Sequence, residues 1–165
     1  MRILRTTLLI IIFLQLIIAC KNDGKNSNSK AASSGKKIEY NGISADLLTK
    51  LRQECTSIDI ISLKKEVNVS MSFDNQQAVA IILSFITEEK ANLTNMCLPE
   101  AHLVCQRNGD VFQEMDLYYQ NGCNALVFMD KDNKPVSANQ ISNEGVDFFN
   151  NFLKAKSTQD TMGKK

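Results

Sequence analysis

The sequence holds a single histidine, His102, and that scarcity removes most catalytic arrangements in which an imidazole serves as base. It has no Gly-x-Ser-x-Gly elbow and no Gly-rich phosphate loop, so serine-hydrolase and nucleotide-binding chemistry have nothing to start from. No Cys-x-x-Cys pair is present, which takes away the commonest zinc and redox spacing. Neither sign of charge is in excess, with 19 basic residues against 18 acidic ones. A basic footprint for nucleic acid is therefore missing, no internal repeat is visible, and no cofactor is expected.

What is present begins at the N-terminus. Arg2 and Arg5 precede the apolar run from Leu8 to Ile18, which is short for a membrane span and is ended abruptly by Lys21-Asn22-Asp23. That is the layout of an export signal over residues 1–19. Ile17-Ile18-Ala19-Cys20 resembles the lipobox of bacterial lipoproteins, in which a branched aliphatic, a tolerant position and a small residue precede the acylated cysteine. The resemblance implies that Cys20 becomes the lipidated first residue of the mature chain, carrying the several acyl chains, palmitate among them, that stable anchoring requires. It also implies that Lys21, in place of Asp, directs the protein to an outer membrane. Loss of Arg2 and Arg5 leaves 17 basic residues against 18 acidic ones.

From Lys21 to Lys37 the chain is Lys, Asn, Ser, Gly and Ala with one Asp, too poor in apolar surface to order itself. With Cys20 it reads as a tether over residues 20–37, spanning roughly 23 Å as a flexible coil and about 60 Å at full stretch. Residues 38–156 suffice for one domain, and 157–165 read as a polar tail.

The fold class expected is α+β, an antiparallel sheet of four or five strands in a meander with about three helices mainly on one face. Ser44 is placed to cap a first helix, Ile43 to staple onto Leu48, and Leu47, Leu48, Leu51 and Cys55 share a face. Strict alternation from Glu66 to Phe73 predicts a half-buried strand with Val67, Val69, Met71 and Phe73 inward. Asp74 with Gln77 starts a second helix, whose stripe runs through Ala78, Val79, Ile81, Ile82, Phe85 and Ile86. Asn108-Gly109 and Asn121-Gly122 are two-residue hairpin signals and residues 130–135 a third turn, giving strands near 102–107, 110–119, 123–130 and 135–141. With both Asn-Gly pairs in the loop positions, Leu117 faces Leu126, Met115 faces Phe128, and Val104 joins their side of the sheet. Ser142 or Asn143 caps a last helix, where Val146, Phe148, Phe149, Phe152 and Leu153 need cover.

Once Cys20 is lipidated, Cys55, Cys97, Cys105 and Cys123 remain, an even number in an oxidising compartment. Three connectivities are possible. The hairpin register sets Cys105 opposite Phe112, too far along the sheet from Cys123 to bond with it, and brings Cys97 back toward Cys123. The pairing expected is Cys97 with Cys123 and Cys55 with Cys105.

Each tempting site has a plainer reading. Cys97, His102, Cys105 and Cys123 have zinc-ligand chemistry, but disulfides are the expectation in this compartment, and His102 falls beside Met115 on the apolar face. A Cys paired with His102 requires a free thiol. Asp130-x-Asp132 echoes a calcium loop without its glycine, with Lys134 where a ligand belongs. Glu114 and Asp116 share a strand face as solvated acids do. Asn68-Val69-Ser70 and Asn92-Leu93-Thr94 match glycosylation sequons by chance alone.

The second sheet face mixes Phe112, Tyr118, Val127 and Met129 with Arg107, Glu114 and Asp116, aromatic anchors beside a polar rim. Those four are the candidate partner-binding residues, unless the last helix covers them. The function expected is a lipid-anchored, extracytoplasmic envelope protein acting as a non-enzymatic binding or accessory module for a protein partner. The alternatives are an inhibitor or immunity protein for an envelope-acting enzyme, or an envelope enzyme with a free thiol or metal.

Overall fold

The computed structural model describes residues 35–65 and 69–162. The export signal, Cys20 and most of the tether lie outside the described residues, as do Glu66, Val67 and Asn68 of the expected strand.

Nine strands and three helices follow in order among the described residues: β1 (Lys37–Ile38), α1 (Ala45–Glu54), β2 (Ser57–Ser62), β3 (Ser70–Phe73), α2 (Gln76–Ser84), β4 (Ile86–Lys90), β5 (Leu93–Thr94), β6 (Ala101–Arg107), β7 (Asp110–Tyr118), β8 (Ala125–Met129), β9 (Pro135–Ile141) and α3 (Asn143–Met162). The class is α+β. The main sheet has seven strands, not four or five, in the order β3-β2-β6-β7-β8-β9-β4, and β1 pairs with β5 in a separate ribbon. All the paired strands run antiparallel.

Side-chain oxygens set the helix starts. Ser44 Oγ accepts the Leu47 N–H at 3.2 Å, and Ser142 Oγ accepts the Gly145 N–H at 3.2 Å. Helix α2 is capped by Asn75, whose Oδ1 accepts from Gln77 and Ala78, and not by Asp74. Gly145 lets α3 begin against Phe85, since a Cβ at that position would stand 2.7 Å from the Phe85 Cβ.

The helices pack on one face of the sheet. Leu48, Leu51, Val79, Ile82, Leu83, Phe149 and Leu153 meet Ile58, Ile60, Leu103, Met115, Leu117, Leu126 and Phe128 in one buried cluster. Leu47 and Ile81, expected inward, are exposed, because each helix stripe is narrower than the run of apolar residues that carries it. Helix α3 continues through Met162, into the stretch that reads as a polar tail, because propagation adds a hydrogen bond per residue once the helix has started.

The β7–β8 register is the one the turns indicate, Met115 opposite Phe128 and Leu117 opposite Leu126. The β6–β7 register is not. Arg107 faces Asp110 and Gln106 faces Val111, but Cys105 faces Gln113, so Phe112 is an extra residue on β7. This bulge reverses the parity of every position beyond it. Leu103 and Cys105 thus join Met115 in the core, while Val104 and His102 turn to the opposite face.

Candidate functional site

That opposite face has two halves. At β8 and β9, Ala125, Val127 and Ala138 are buried beneath Tyr40, Ala91 and Leu93, where the N-terminal segment and the β4–β5 region fold across the sheet. Toward β7, β6, β2 and β3 the outward side chains are half-buried or exposed. Pairing fixes who stands there: Ser70 beside Ile61 beside His102 beside Asp116, and Ser72 beside Asp59 beside Val104 beside Glu114. Not one of these eight is Lys or Arg.

His102 is the centre of this open half. Its Nδ1 lies 2.8 Å from Asp116 Oδ1 and its Nε2 lies 3.6 Å from Glu114 Oε1. Gln106 Nε2 donates to Asp59 Oδ2 at 2.6 Å. An imidazole oriented by a carboxylate is half of a nucleophile-activating device, the other half being a nucleophile such as a thiol. The four thiols that offered one are consumed: Cys55 is bonded to Cys105 and Cys97 to Cys123, each with Cα atoms 5.8 Å apart. Among the described residues no group of three or more His, Cys, Asp or Glu side chains is arranged to hold a metal ion.

The four aromatic and apolar candidates do not form one surface. Val127 is buried under the N-terminal segment. Tyr118 and Met129 pack beside it, and burial, with Asp116, Tyr40 and Glu100 nearby, pushes the Tyr118 hydroxyl up to about 12. Phe112, displaced by the bulge, packs against the helix-covered core, with the Arg107 guanidinium 4.8 Å from its ring centroid. Arg107 also pairs with Glu54. Helix α3 does not cover the second face, since it lies on the other one. Asp130 serves its own turn: Oδ1 accepts the N–H groups of Lys134 and Asp132, both at 2.9 Å, which holds its pKa below the usual range.

Sequence reasoning missed a second feature, a cleft of about 290 Å³ where the chain after β2 meets the loop before β6. Leu63, Lys64, Met96, Leu98, Glu100 and the Cys97–Cys123 bridge are among its walls. The signal was Met96-Cys97-Leu98-Pro99, an apolar stretch without strand or helix periodicity. Leu98 is 73% exposed, Met96 64% and Leu63 45%. Glu100 is buried beside them, accepting the Tyr119 N–H at Oε2, 2.8 Å away.

Burial raises the Glu100 pKa against the opposing pull of that hydrogen bond and of Lys64. A carboxyl whose folded pKa lies above its unfolded one contributes stability that is full below the unfolded pKa and lost as pH rises through the folded one. Glu100→Gln keeps an acceptor for Tyr119 and cannot ionise. Its stability relative to wild type should therefore improve as pH rises from about 4 to about 7. Urea titrations at both ends of that range would show it; a difference that is flat or runs the other way refutes the assignment.

No protein-family model, no curated protein and no solved structure matches the chain.

Proposed function

We propose that this protein is a lipid-anchored envelope module, held through Cys20, that binds a protein partner on the open half of its sheet and performs no chemistry itself. The observation that carries this reading is the composition of that half. Asp59, Glu114 and Asp116 stand among Ile61, Val104 and His102 with no lysine or arginine between them. Such a surface complements a partner that presents basic side chains around an apolar contact, and its charges accelerate encounter more than they tighten the complex. The consumption of all four remaining cysteines in disulfides supports a binding role over a thiol enzyme. An inhibitor of an envelope enzyme would use the same face.

The test is recovery of the partner from crosslinked cells, using the full chain on its native anchor. The double variant Asp59→Lys/Glu114→Lys reverses two half-buried acids on that face, and because it also removes the acceptor of the Gln106 amide and the carboxylate beside His102, its melting temperature is read alongside. It is expected to recover at least about tenfold less of the partner. Unchanged recovery by a variant with an unchanged melting temperature removes this face from the proposal. If the recovered partner is an enzyme inhibited by the wild-type protein, the inhibitor role is assigned.

A further inference from the structure

The cleft and the point where the tether enters the fold are the same place. Asn95 N–H donates to the Lys36 carbonyl at 2.9 Å, and β1 pairs with β5 immediately before the loop that carries Met96 and Leu98. Gly35 is pressed so closely against this loop that a Cβ on it would lie 2.6 Å from both Asn95 Oδ1 and Met96 Cγ. Met96 and Leu98 are also the two most exposed large apolar side chains among the described residues, and Leu63 joins them across the cleft. Lys64 lines the cleft with its ammonium 5.2 Å from the Tyr119 ring centroid, exposed Lys65 follows it in the chain, and Lys36 stands at the entry of the tether. Glu100, the acid in the cleft wall, is buried.

Apolar side chains that protrude, with lysines set about them, have the chemistry of a shallow seat on an anionic bilayer: the side chains enter the acyl boundary and the ammonium groups meet phosphate. The chain between Cys20 and Gly35 can extend at most about 50 Å, and it joins the domain at this loop and nowhere else. Between Cys20 and Gly35 it carries Lys21, Lys25 and Lys30 against Asp23 alone. Gly35 and Lys36, the described residues nearest to Cys20 along the chain, are held directly against this loop. Anchoring raises the effective concentration of bilayer at the loop, so contact too weak to hold a free protein suffices here.

We infer that Met96 and Leu98, with Leu63 and the surrounding lysines, seat the domain on the anionic surface of the membrane that holds its own anchor. The orientation leaves the hairpin at Asn108-Gly109, at the other end of β6, pointing away from the lipid. This inference rests on lipidation of Cys20, so its test reads the anchor and the seat separately.

The chain contains no tryptophan, so a single introduced one reports without background. Leu98→Trp places the probe in the loop, and Val111→Trp places it at the distant hairpin, where Val111 is 62% exposed. The full lipidated chain is reconstituted in vesicles of phosphatidylethanolamine and phosphatidylglycerol, with or without brominated acyl chains. The expected result is a blue-shifted emission from Leu98→Trp, quenched about twofold by brominated lipid, and no change for Val111→Trp. Equal behaviour of the two probes overturns the seat. Flotation and fatty-acid labelling of the same samples report the anchor. If Cys20 carries no lipid, the anchor fails on its own, and the unlipidated Cys20→Ser chain then tests the seat: a Leu98→Trp shift at high concentrations of anionic but not neutral vesicles supports it, and no shift overturns it. A shift that needs an added protein and occurs without lipid also overturns it, in favour of a protein site.

Discussion

Phe149→Ala is expected to destabilise the domain by about 3 to 5 kcal/mol, the usual cost of emptying a buried aromatic site. Phe149 is fully enclosed and is the point at which α3 grips the sheet. Its ring lies edge-on to Phe148 at 5.3 Å and to Phe85 at 6.0 Å, and 6.5 Å from Tyr119. These neighbours come from α3 itself, the end of α2 and the end of β7, so no single element can move to fill the space. Phe152, half-buried and stacked on Phe148 at 5.4 Å, is a built-in comparison whose truncation should cost clearly less. For a domain of this size the loss from Phe149→Ala corresponds to a fall of roughly 15 °C in melting temperature. Thermal melts of both variants decide the matter: a cost below about 1 kcal/mol for Phe149→Ala would mean that α3 does not dock as described.

How far the sequence predicts this arrangement depends on whether a local signal exists. Asn108-Gly109 and Asn121-Gly122 both take positive φ at each residue, the conformation those pairs favour, and the strands about them fall within two residues of the expected ends. The bulge at Phe112 had no such signal. It is a choice between packing Leu103 and Cys105 in the core and packing His102 and Val104 there, settled by tertiary burial. Strand β4 was hidden because Ile86 continues the helical stripe of α2, while Thr87 to Lys90 are polar enough for a loop. They form a strand because β9 offers Ile141 and Asn139 as partners, and the acids suit an exposed edge. Strand β2 is short, with Ile58 and Ile60 inward and Ile61 breaking the alternation. The partner-binding candidates fared accordingly. Phe112, Tyr118, Val127 and Met129 shared a face only while β7 was straight and while the cover supplied by Tyr40, Ala91 and Leu93 went unforeseen. The acidic open half was legible in its residues, Glu114 and Asp116, but not in its company, because His102 reaches it only through the bulge.

Removal of the Cys55–Cys105 bridge is the other change expected to have a large effect. Cys55 ends α1, Cys105 sits in a central strand, and both are fully enclosed in the main core. The bridge spans 50 residues, and on loop-closure grounds it stabilises the fold by about 4 kcal/mol; the Cys97–Cys123 bridge spans 26 and falls only slightly below that. Chain entropy alone barely separates the two. Packing does, because alanine at 55 and 105 also leaves space in the core, whereas Cys97 stands half-buried at the cleft. Cys55→Ala/Cys105→Ala should therefore lose more stability than Cys97→Ala/Cys123→Ala. Within each pair the double variant should lose little more than either single one, since one bridge is gone in all three cases. Burial also orders their reduction. In the folded protein a reductant reaches Cys97–Cys123 from the cleft, but Cys55–Cys105 only when the core opens. Brief treatment with dithiothreitol, alkylation and peptide mapping should label Cys97 and Cys123 first, with Cys55 and Cys105 following at the rate of unfolding. Early labelling of Cys55, or a peptide joining Cys105 to Cys123, would show that the core is not closed as described.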